Sequence, residues 1–368
     1  MRVLVDYRAA LRERSGVGEY THQLVAALLR RAAANGAADR LDLWIFSSSW
    51  KDRLVVNREI AGAHAVDRRV PVSLLNFAWH RLGWPPAELL AGADFDVTHA
   101  LHPLILPSRH AAPVVTIHDL SFLSHPERTR AEIRRDYAPL AREHAHRARR
   151  IVTISDFTAN EIVARLGVPR ERIIVCYPGA PAWLPLETRA RDGYVLFLGT
   201  LEPRKNIGAL LDAYERLIDP PPLVIAGKAT DEARPWLERM ERPPLNRVVR
   251  RVGYVDPDKR RDLYAGARLL VQPSFEEGFG MPVLEAMTLG IPVVAANRGA
   301  LPEVLGDAGL LVDPERPADL ADAIAHMIAD DAAADAFAAR GRERAQLFDW
   351  DRTAARVYEA YLQSCGSA

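Results

Sequence analysis

The chain has 368 residues, more than one hydrophobic core usually organises, so two domains are expected. Apolar residues make up 49% and charged residues 26%, the balance of an ordinary soluble globular enzyme. Forty-eight basic and 48 acidic residues cancel, so no global field calls for nucleic acid or an acidic partner. In chain order, the first candidate strand is RVLVD (2–6). Its apolar run, Val3–Val5, is too short for a signal peptide. A helical pattern, GVGEYTHQLVAALLRRAA (16–33), follows. Strands LDLWIF (41–46), DVTHA (96–100), PVVTIHD (113–119) and RIVTIS (150–155) complete the first half. The Pro-rich stretch YPGAPAWLPLETRARDG (177–193) is the best boundary. Beyond it the rhythm repeats with YVLFLG (194–199), PLVIAG (222–227), RVVRRVG (247–253), RLLVQP (268–273) and IPVVAAN (291–297). The tail reads as terminal helices.

Strand–helix alternation with near-continuous apolar strands argues for parallel sheets covered on both faces. The expectation is an α/β chain of two Rossmann-like doubly wound domains facing across a cleft, with ligands at the carboxyl ends of the strands. No window reaches about 18 apolar residues, so no membrane span is expected. Cys176 and Cys365 are too few for a disulfide framework, and CxxC is absent, which fits a reduced, cytoplasmic setting.

The richest segment is PSFEEGFGMPVLEAMTLGIPVV (273–294). Gly278 and Gly280 free the loop after a strand for close approach to a ligand. Pro282 suits the first turn of a helix ending near Gly290. Glu277 then lies in the loop and Glu285 within the first helical turn. Loop N–H groups and a helix N-terminus suit an anion. A carboxylate beside that anion suits a neutral polyol such as ribose. The plainer reading is a strand–turn–helix with a capping acid.

In RSGVGEY (14–20) the glycines open a helix after strand 1, and their N–H groups could cradle a phosphate; a plain tight turn is the alternative. In LGTLEPRKN (198–206), Arg204 and Lys205 could clamp a diphosphate, or form a solvated basic turn. TIHDL puts His118 and Asp119 at the end of a strand, as a base or a packed polar corner. No second ligand cluster accompanies them, so a metal is not expected. His99 and His102 are weaker candidates, with His102 either bordering an acceptor cleft or simply a loop histidine. Segment 126–150 carries eight Arg against four acids, and Pro139 is expected to kink or break it. Its basic face could dock on anionic lipid, with Trp79 and Trp84 as interfacial anchors, or it is a solvated face beside core aromatics.

Taken in order, GVGEY, DVTHA, TIHDL, IVTISDFTANEI, YPGA, LGTLEPRKNI and the block PSFEEGFGMPVLEAMTLGIPVVAANRGALPEVLGDAGLLVDP resemble glycosyltransferase family 4, the retaining GT-B family, most closely its bacterial mannosyltransferase branch. The resemblance implies an acceptor-binding domain over 1–180 and a nucleotide-sugar domain over 181–350. A C-terminal helix, about 351–368, would pack back on the first domain. It implies donor contacts from Gly16, Val17 and Gly18, nucleobase contacts around Tyr254 and Val255, and diphosphate contacts from Lys205 and Arg204. Thr200 stands where many relatives carry an arginine, so Arg204 would supply the missing cation. His118 and Glu277 would hydrogen-bond the transferred sugar. Gly278, Phe279, Gly280, Met281 and Pro282 would border the diphosphate, and Glu285 the ribose. Of Glu276 and Glu277, only the motif register selects the second. The implied reaction moves a hexose, mannose from GDP-mannose, onto a glycan or polyprenyl-diphosphate-linked acceptor in cell-surface polysaccharide biosynthesis. Neither cofactor nor metal is required, because cations and helix dipoles carry the charge. A peripheral contact with the inner face of the plasma membrane is a further expectation. The alternatives are a GT-B sugar-nucleotide epimerase and a silent scaffold of a polysaccharide assembly complex.

Overall fold

A computed structural model describes residues 1–11, 14, 16–35, 41–124 and 134–366. The chain divides into two compact units, Met1–Gly179 with Asp349–Ala368, and Ala180–Phe348.

The first unit holds seven strands: β1 (Arg2–Asp6), β2 (Asp42–Ser48), β3 (His64–Arg68), β4 (Val97–Ala100), β5 (Ala112–Ile117), β6 (Arg150–Thr153) and β7 (Ile173–Val175). Their order is β3-β2-β1-β4-β5-β6-β7, and every pairing is parallel. The second unit holds β8 (Tyr194–Leu198), β9 (Leu223–Ala226), β10 (Val249–Gly253), β11 (Ala267–Gln272), β12 (Val293–Ala296) and β13 (Leu310–Val312). Their order is β10-β9-β8-β11-β12-β13, again all parallel. Central strands such as VTHA and VVAA are buried throughout, because helices cover both faces of a parallel sheet.

In each sheet the order reverses beside the first strand of its unit. β1 lies between β2 and β4, and β8 lies between β9 and β11. These are the topological switch points, where the strand ends diverge and leave a crevice. Each unit has its own core. Leu4, Phe46, Trp79, Val115 and Ile151 belong to the first, and Phe197, Leu210, Tyr214, Leu269 and Val294 to the second.

The helix Trp350–Cys365 belongs to the first unit and packs on the helix Val17–Asn35 and on β5 and β6. The Tyr361 hydroxyl meets His99 Nδ1 at 2.7 Å. The helix Arg134–Arg147 runs through Pro139, which therefore does not break it. Residues 126–133 of that basic segment lie outside the described residues. Trp79 is no interfacial anchor: it is buried, its indole N–H donates to the Pro85 carbonyl, and the Arg8 guanidinium covers its ring at 4.8 Å. Trp84 is exposed.

Candidate functional site

In the second unit the polar residues converge where β8 and β11 end. The chain leaves β8 into a short 3-10 turn, Pro203–Lys205, and leaves β11 into the loop 273–280. The two loops are stitched together. Phe275 N–H donates to the Arg204 carbonyl at 2.8 Å. Asn206, in the left-handed conformation at φ 56°, donates from Nδ2 to the carbonyls of Pro273 (3.2 Å) and Pro314 (2.8 Å).

This stitching brings Lys205 Nζ to 2.6 Å from Glu277 Oε1, with both side chains buried. Ser274 Oγ (2.8 Å) and Gln272 Nε2 (2.9 Å) donate to the same oxygen. Arg204 Nη1 approaches Glu277 Oε2 at 3.5 Å, while its Nε pairs with Glu202 at 2.7 Å. Burial pushes the Glu277 carboxyl up, but the Lys205 and Arg204 charges outweigh it and hold it down at about 2. Glu277 is therefore a carboxylate at neutral pH. Its neighbour Glu276 is partly exposed and gives Arg204 its carbonyl oxygen, at 3.1 Å. Glu277 is thus the acid of the pair that enters the cluster.

Gly280, at φ 104°, caps the helix Met281–Leu289, and a Cβ there would stand 2.7 Å from Leu301. Pro282 is in its first turn, and Gly290 closes it in the left-handed region. Glu285 is the fifth helical residue, just past the first turn in which it was expected, because the helix starts at Met281 and its first turn carries no acid. Its carboxylate is buried, with Arg260 Nη1 at 2.8 Å from Oε1 and the Tyr264 hydroxyl at 2.8 Å from Oε2. Glu277 and Glu285 thus belong to two separate ion-pair clusters. Thr200 is exposed just beyond β8. Tyr254 and Val255 follow β10, half-buried, with Lys228 Nζ 5.7 Å from the centre of the Tyr254 ring. Gly278 and Phe279 are buried in the loop.

Sequence reasoning missed Gln272, Ser274, Asn206, Arg260 and Tyr264. Gln272 and Ser274 lie beside Glu277 in the chain but carry no charge to mark them, Asn206 reaches carbonyls of distant loops, and Arg260 and Tyr264 meet Glu285 only through the packing of two helices.

In the first unit, Gly16 (φ 50°) precedes the helix Val17–Asn35, so Val17 and Gly18 supply its first N–H groups. His118 follows β5. Its Nε2 donates to the Leu101 carbonyl at 3.2 Å, and its ring meets Tyr20 edge-on at 4.9 Å. Burial pushes the imidazole down to about 4, so it is neutral at pH 7 and Nδ1 is an acceptor. Asp119 instead accepts from Ser121 N–H (3.0 Å) and Oγ (2.7 Å), as a turn cap. His99 is a core residue between Tyr361 and Thr116. His102 takes the Leu104 N–H on Nδ1 and donates from Nε2 to Asp6 at 3.1 Å. Among the described residues no group of three or more His, Cys, Asp or Glu side chains is gathered to hold a metal.

Two doubly wound parallel domains, each with a polar cluster at its switch point, describe a GT-B fold. Sucrose-phosphate synthase from Thermosynechococcus elongatus superposes with a TM-score of 0.81 at 21% identity over all of both chains. Anabaena Alr3699/HepE, solved with UDP and glucose, superposes with a TM-score of 0.72 at 19% identity over 98% of each. Residues 14–182 match the model described as Glycosyltransferase Family 4, and residues 192–330 that of Glycosyl transferases group 1. O-antigen chain mannosyltransferase B of Escherichia coli is 33% identical over 94% of this chain and 96% of that one. A D-inositol 3-phosphate glycosyltransferase of Streptomyces bingchenggensis is 30% identical over 59% of this chain and 53% of its own. The chain belongs to glycosyltransferase family 4. It is a hexosyltransferase of polysaccharide biosynthesis, working between a nucleotide-sugar donor and a glycan acceptor. No described helix is long and apolar enough to cross a membrane.

Proposed function

We propose that the enzyme transfers mannose from GDP-mannose, with retention of the α-anomer, to a hydroxyl of a glycan or polyprenyl-diphosphate-linked glycan. The observation that carries the reading is the buried Lys205–Glu277 pair at the β8/β11 switch point, one short loop before a helix N-terminus. Similarity to a mannosyltransferase over nearly the whole chain supports the choice of sugar.

In this reading Lys205, Arg204 and the first turn at Met281 and Pro282 stabilise the leaving diphosphate. Gly278, Phe279 and Gly280 let the backbone come close to it. Glu277 has its charge matched by Lys205 and one oxygen crowded by Ser274 and Gln272. That makes it an acceptor of sugar hydroxyl hydrogen bonds, not a nucleophile. Transfer on one face of the sugar follows, with the leaving phosphate taking the acceptor's proton. Glu285 bonds the ribose, held in place by Arg260 and Tyr264. Tyr254 and Val255 border the base, and Thr200 the phosphates, where Arg204 replaces the missing cation. In the first unit Gly16, Val17 and Gly18 give N–H groups to the diphosphate, and His118 bonds the sugar. The reaction needs neither cofactor nor metal. A peripheral membrane contact is supported by Leu74, Phe77, Leu82 and Trp84, which are exposed and close in sequence. Co-sedimentation with anionic vesicles tests it, and no binding would remove it.

A thermal-shift panel of GDP-mannose, GDP-fucose, UDP-glucose and UDP-N-acetylglucosamine tests the donor. The largest shift is expected with GDP-mannose; a larger shift with a UDP-sugar refutes the assignment. Calorimetry of Glu285→Ala checks the ribose role, and unchanged donor affinity would remove it.

A further inference from the structure

We infer that Trp183, in the Pro-rich stretch with which the second unit opens, is a positioning residue for the donor, acting on Glu285 through the Tyr264 ring. The inference rests on the ribose role proposed above for Glu285 and extends it to a residue far away in the chain.

The stretch 181–191 is strapped to the helix that carries Glu285. Leu186 N–H donates to the carbonyl of Leu289, the last residue of the helix Met281–Leu289, at 3.2 Å. A helix end leaves such carbonyls without a partner inside the helix, so this bond ties the strap to it directly. Further on, Arg189 donates to Asp331 at 2.9 Å and Asp335 at 3.0 Å. Arg191 takes the other oxygen of each, at 2.9 and 2.8 Å. Both acids lie at the start of the helix Asp331–Ala345. That helix packs in turn on Met281–Leu289, with Gly341 against Met287.

Just ahead of these anchors, Ala182, Leu184 and Pro185 are exposed, and within that run Trp183 turns inward. Its ring meets that of Tyr264, with 5.9 Å between centroids and a tilt of 52°. Tyr264 is fully buried on the helix Pro257–Ala265. Its hydroxyl donates to Glu285 Oε2 at 2.8 Å and lies 3.2 Å from the Pro282 carbonyl. Arg260, one turn earlier on the same face, donates to Oε1 at 2.8 Å. Each oxygen of the Glu285 carboxylate thus has a donor from one helix, and Trp183 packs against one of the two side chains that supply them.

A hydroxyl holds a carboxylate only as closely as its own ring is held, and the Tyr264 ring turns about two side-chain torsions. Binding groups serve a ligand when packing and hydrogen bonds fix them to within about 0.5 Å. Trp183 supplies packing of that kind, since aromatic pairs at this separation attract beyond the area they bury. Burial pushes the Tyr264 phenol well above its ordinary value, so the hydroxyl keeps its proton and remains a donor. Without the indole, the Tyr264 ring and the Glu285 carboxylate shift together. Bonds to the ribose hydroxyls then weaken, while Lys205 and the helix start at Met281 still meet the diphosphate. The effect of Trp183 is therefore confined to ligands that carry those hydroxyls.

The test uses the intact protein and two ligands, the nucleoside diphosphate of the donor that shifts its melting most and the 2′,3′-dideoxy form of that nucleotide. Dissociation constants come from calorimetry. The unaltered protein should bind the ribose form more tightly. Trp183→Leu, which keeps apolar bulk without a ring, should weaken the ribose form about twofold to tenfold, the worth of one aromatic pair, and leave the dideoxy form unchanged. Tyr264→Phe, which removes the hydroxyl alone, should weaken the ribose form about tenfold, the worth of one hydrogen bond to a charged group. The double variant should be no weaker than Tyr264→Phe, because Trp183 acts through that hydroxyl. Trp183→Phe should keep most of the preference for ribose. A Trp183→Leu protein that binds both forms equally less well has lost only structure, and that outcome overturns the inference. Unchanged binding of the ribose form, or additive effects in the double variant, overturns it too. Equal binding of the two forms by the unaltered protein would overturn the ribose role of Glu285 as well, whereas a ribose preference that Trp183→Leu leaves intact overturns the inference alone.

Discussion

Lys205 and Glu277 are buried charges 2.6 Å apart, and such a pair is held by balance. Each ion loses hydration worth several kcal/mol, which its partner and the bonds from Gln272 and Ser274 offset. Removing one partner strands the other, so Lys205→Ala should destabilise the second unit by about 3–5 kcal/mol as well as abolish transfer. Replacing both, as Lys205→Met with Glu277→Leu, should recover most of that stability and none of the activity. Chemical denaturation and a transfer assay on the three proteins check this; a double variant as unstable as the single one would refute the balance. Each member was singled out in the sequence because it sits in a recognisable loop, but their pairing was not, since one was assigned to the diphosphate and the other to the sugar. The motif register pointed to Glu277 over Glu276, and burial now gives a physical reason. Arg260 and Tyr264 were illegible, because their partner Glu285 is distant in the chain and their meeting depends on helix–helix packing. The register error at Glu285 has a local cause: the helix starts with Met281 after the left-handed Gly280, which puts the acid beyond the first turn.

At the scale of elements, the loop 273–280 keeps its shape because another loop lies against it. Ala300 N–H donates to the Glu277 carbonyl at 3.0 Å. Gly299, at φ 62°, lets that chain pass so close that a Cβ would stand 2.8 Å from the Glu277 N and O atoms. Gly299→Ala meets both a left-handed backbone and backbone atoms that cannot yield. A loss of about 2–3 kcal/mol is expected, with a fall in turnover because Glu277 moves off Lys205. Gly16→Ala makes the comparison, since it shares the left-handed backbone but has open space around it, and about 1 kcal/mol is expected. Melting temperatures that fall equally in the two variants would refute the close-approach argument. Most elements were legible from pattern alone. The strands missed were β3, β7 and β13, all at sheet edges. β7 and β13 are only three residues long, and β3 carries His, Asp and Arg with one buried side chain. An edge strand has a neighbour on one side only and carries little of the apolar run that marks a strand in sequence.

At the scale of the molecule, the two units differ in how they answer acid. His80, His99, His118 and His144 all belong to the first unit, and burial pushes them to about 3, 3, 4 and 4. Each stays neutral in the folded chain but takes a proton near 6.5 once unfolded. The unfolded state therefore binds more protons, and the stability these groups confer is complete above about 6.5 and lost as pH falls towards 4 and 3. Each contributes at most about 1.4 kcal/mol per pH unit in that window, less for the partly exposed His80 and His118. In the second unit the matching group is Glu277, depressed from 4.5 to about 2, whose contribution begins to fade only below about 4.5. Between pH 6.5 and 4.5 the first unit should thus lose stability while the second holds. Hydrogen exchange read peptide by peptide at pH 7 and pH 5, corrected for the intrinsic rate, should show protection falling in β1, β4 and β5 before β8 and β11. Exchange that rises equally in both units would show that these histidines do not set the acid limit. His99→Gln, which keeps hydrogen-bonding capacity toward Thr116 and Tyr361 without a titrating ring, should flatten the first unit's pH slope even where it lowers stability at pH 7.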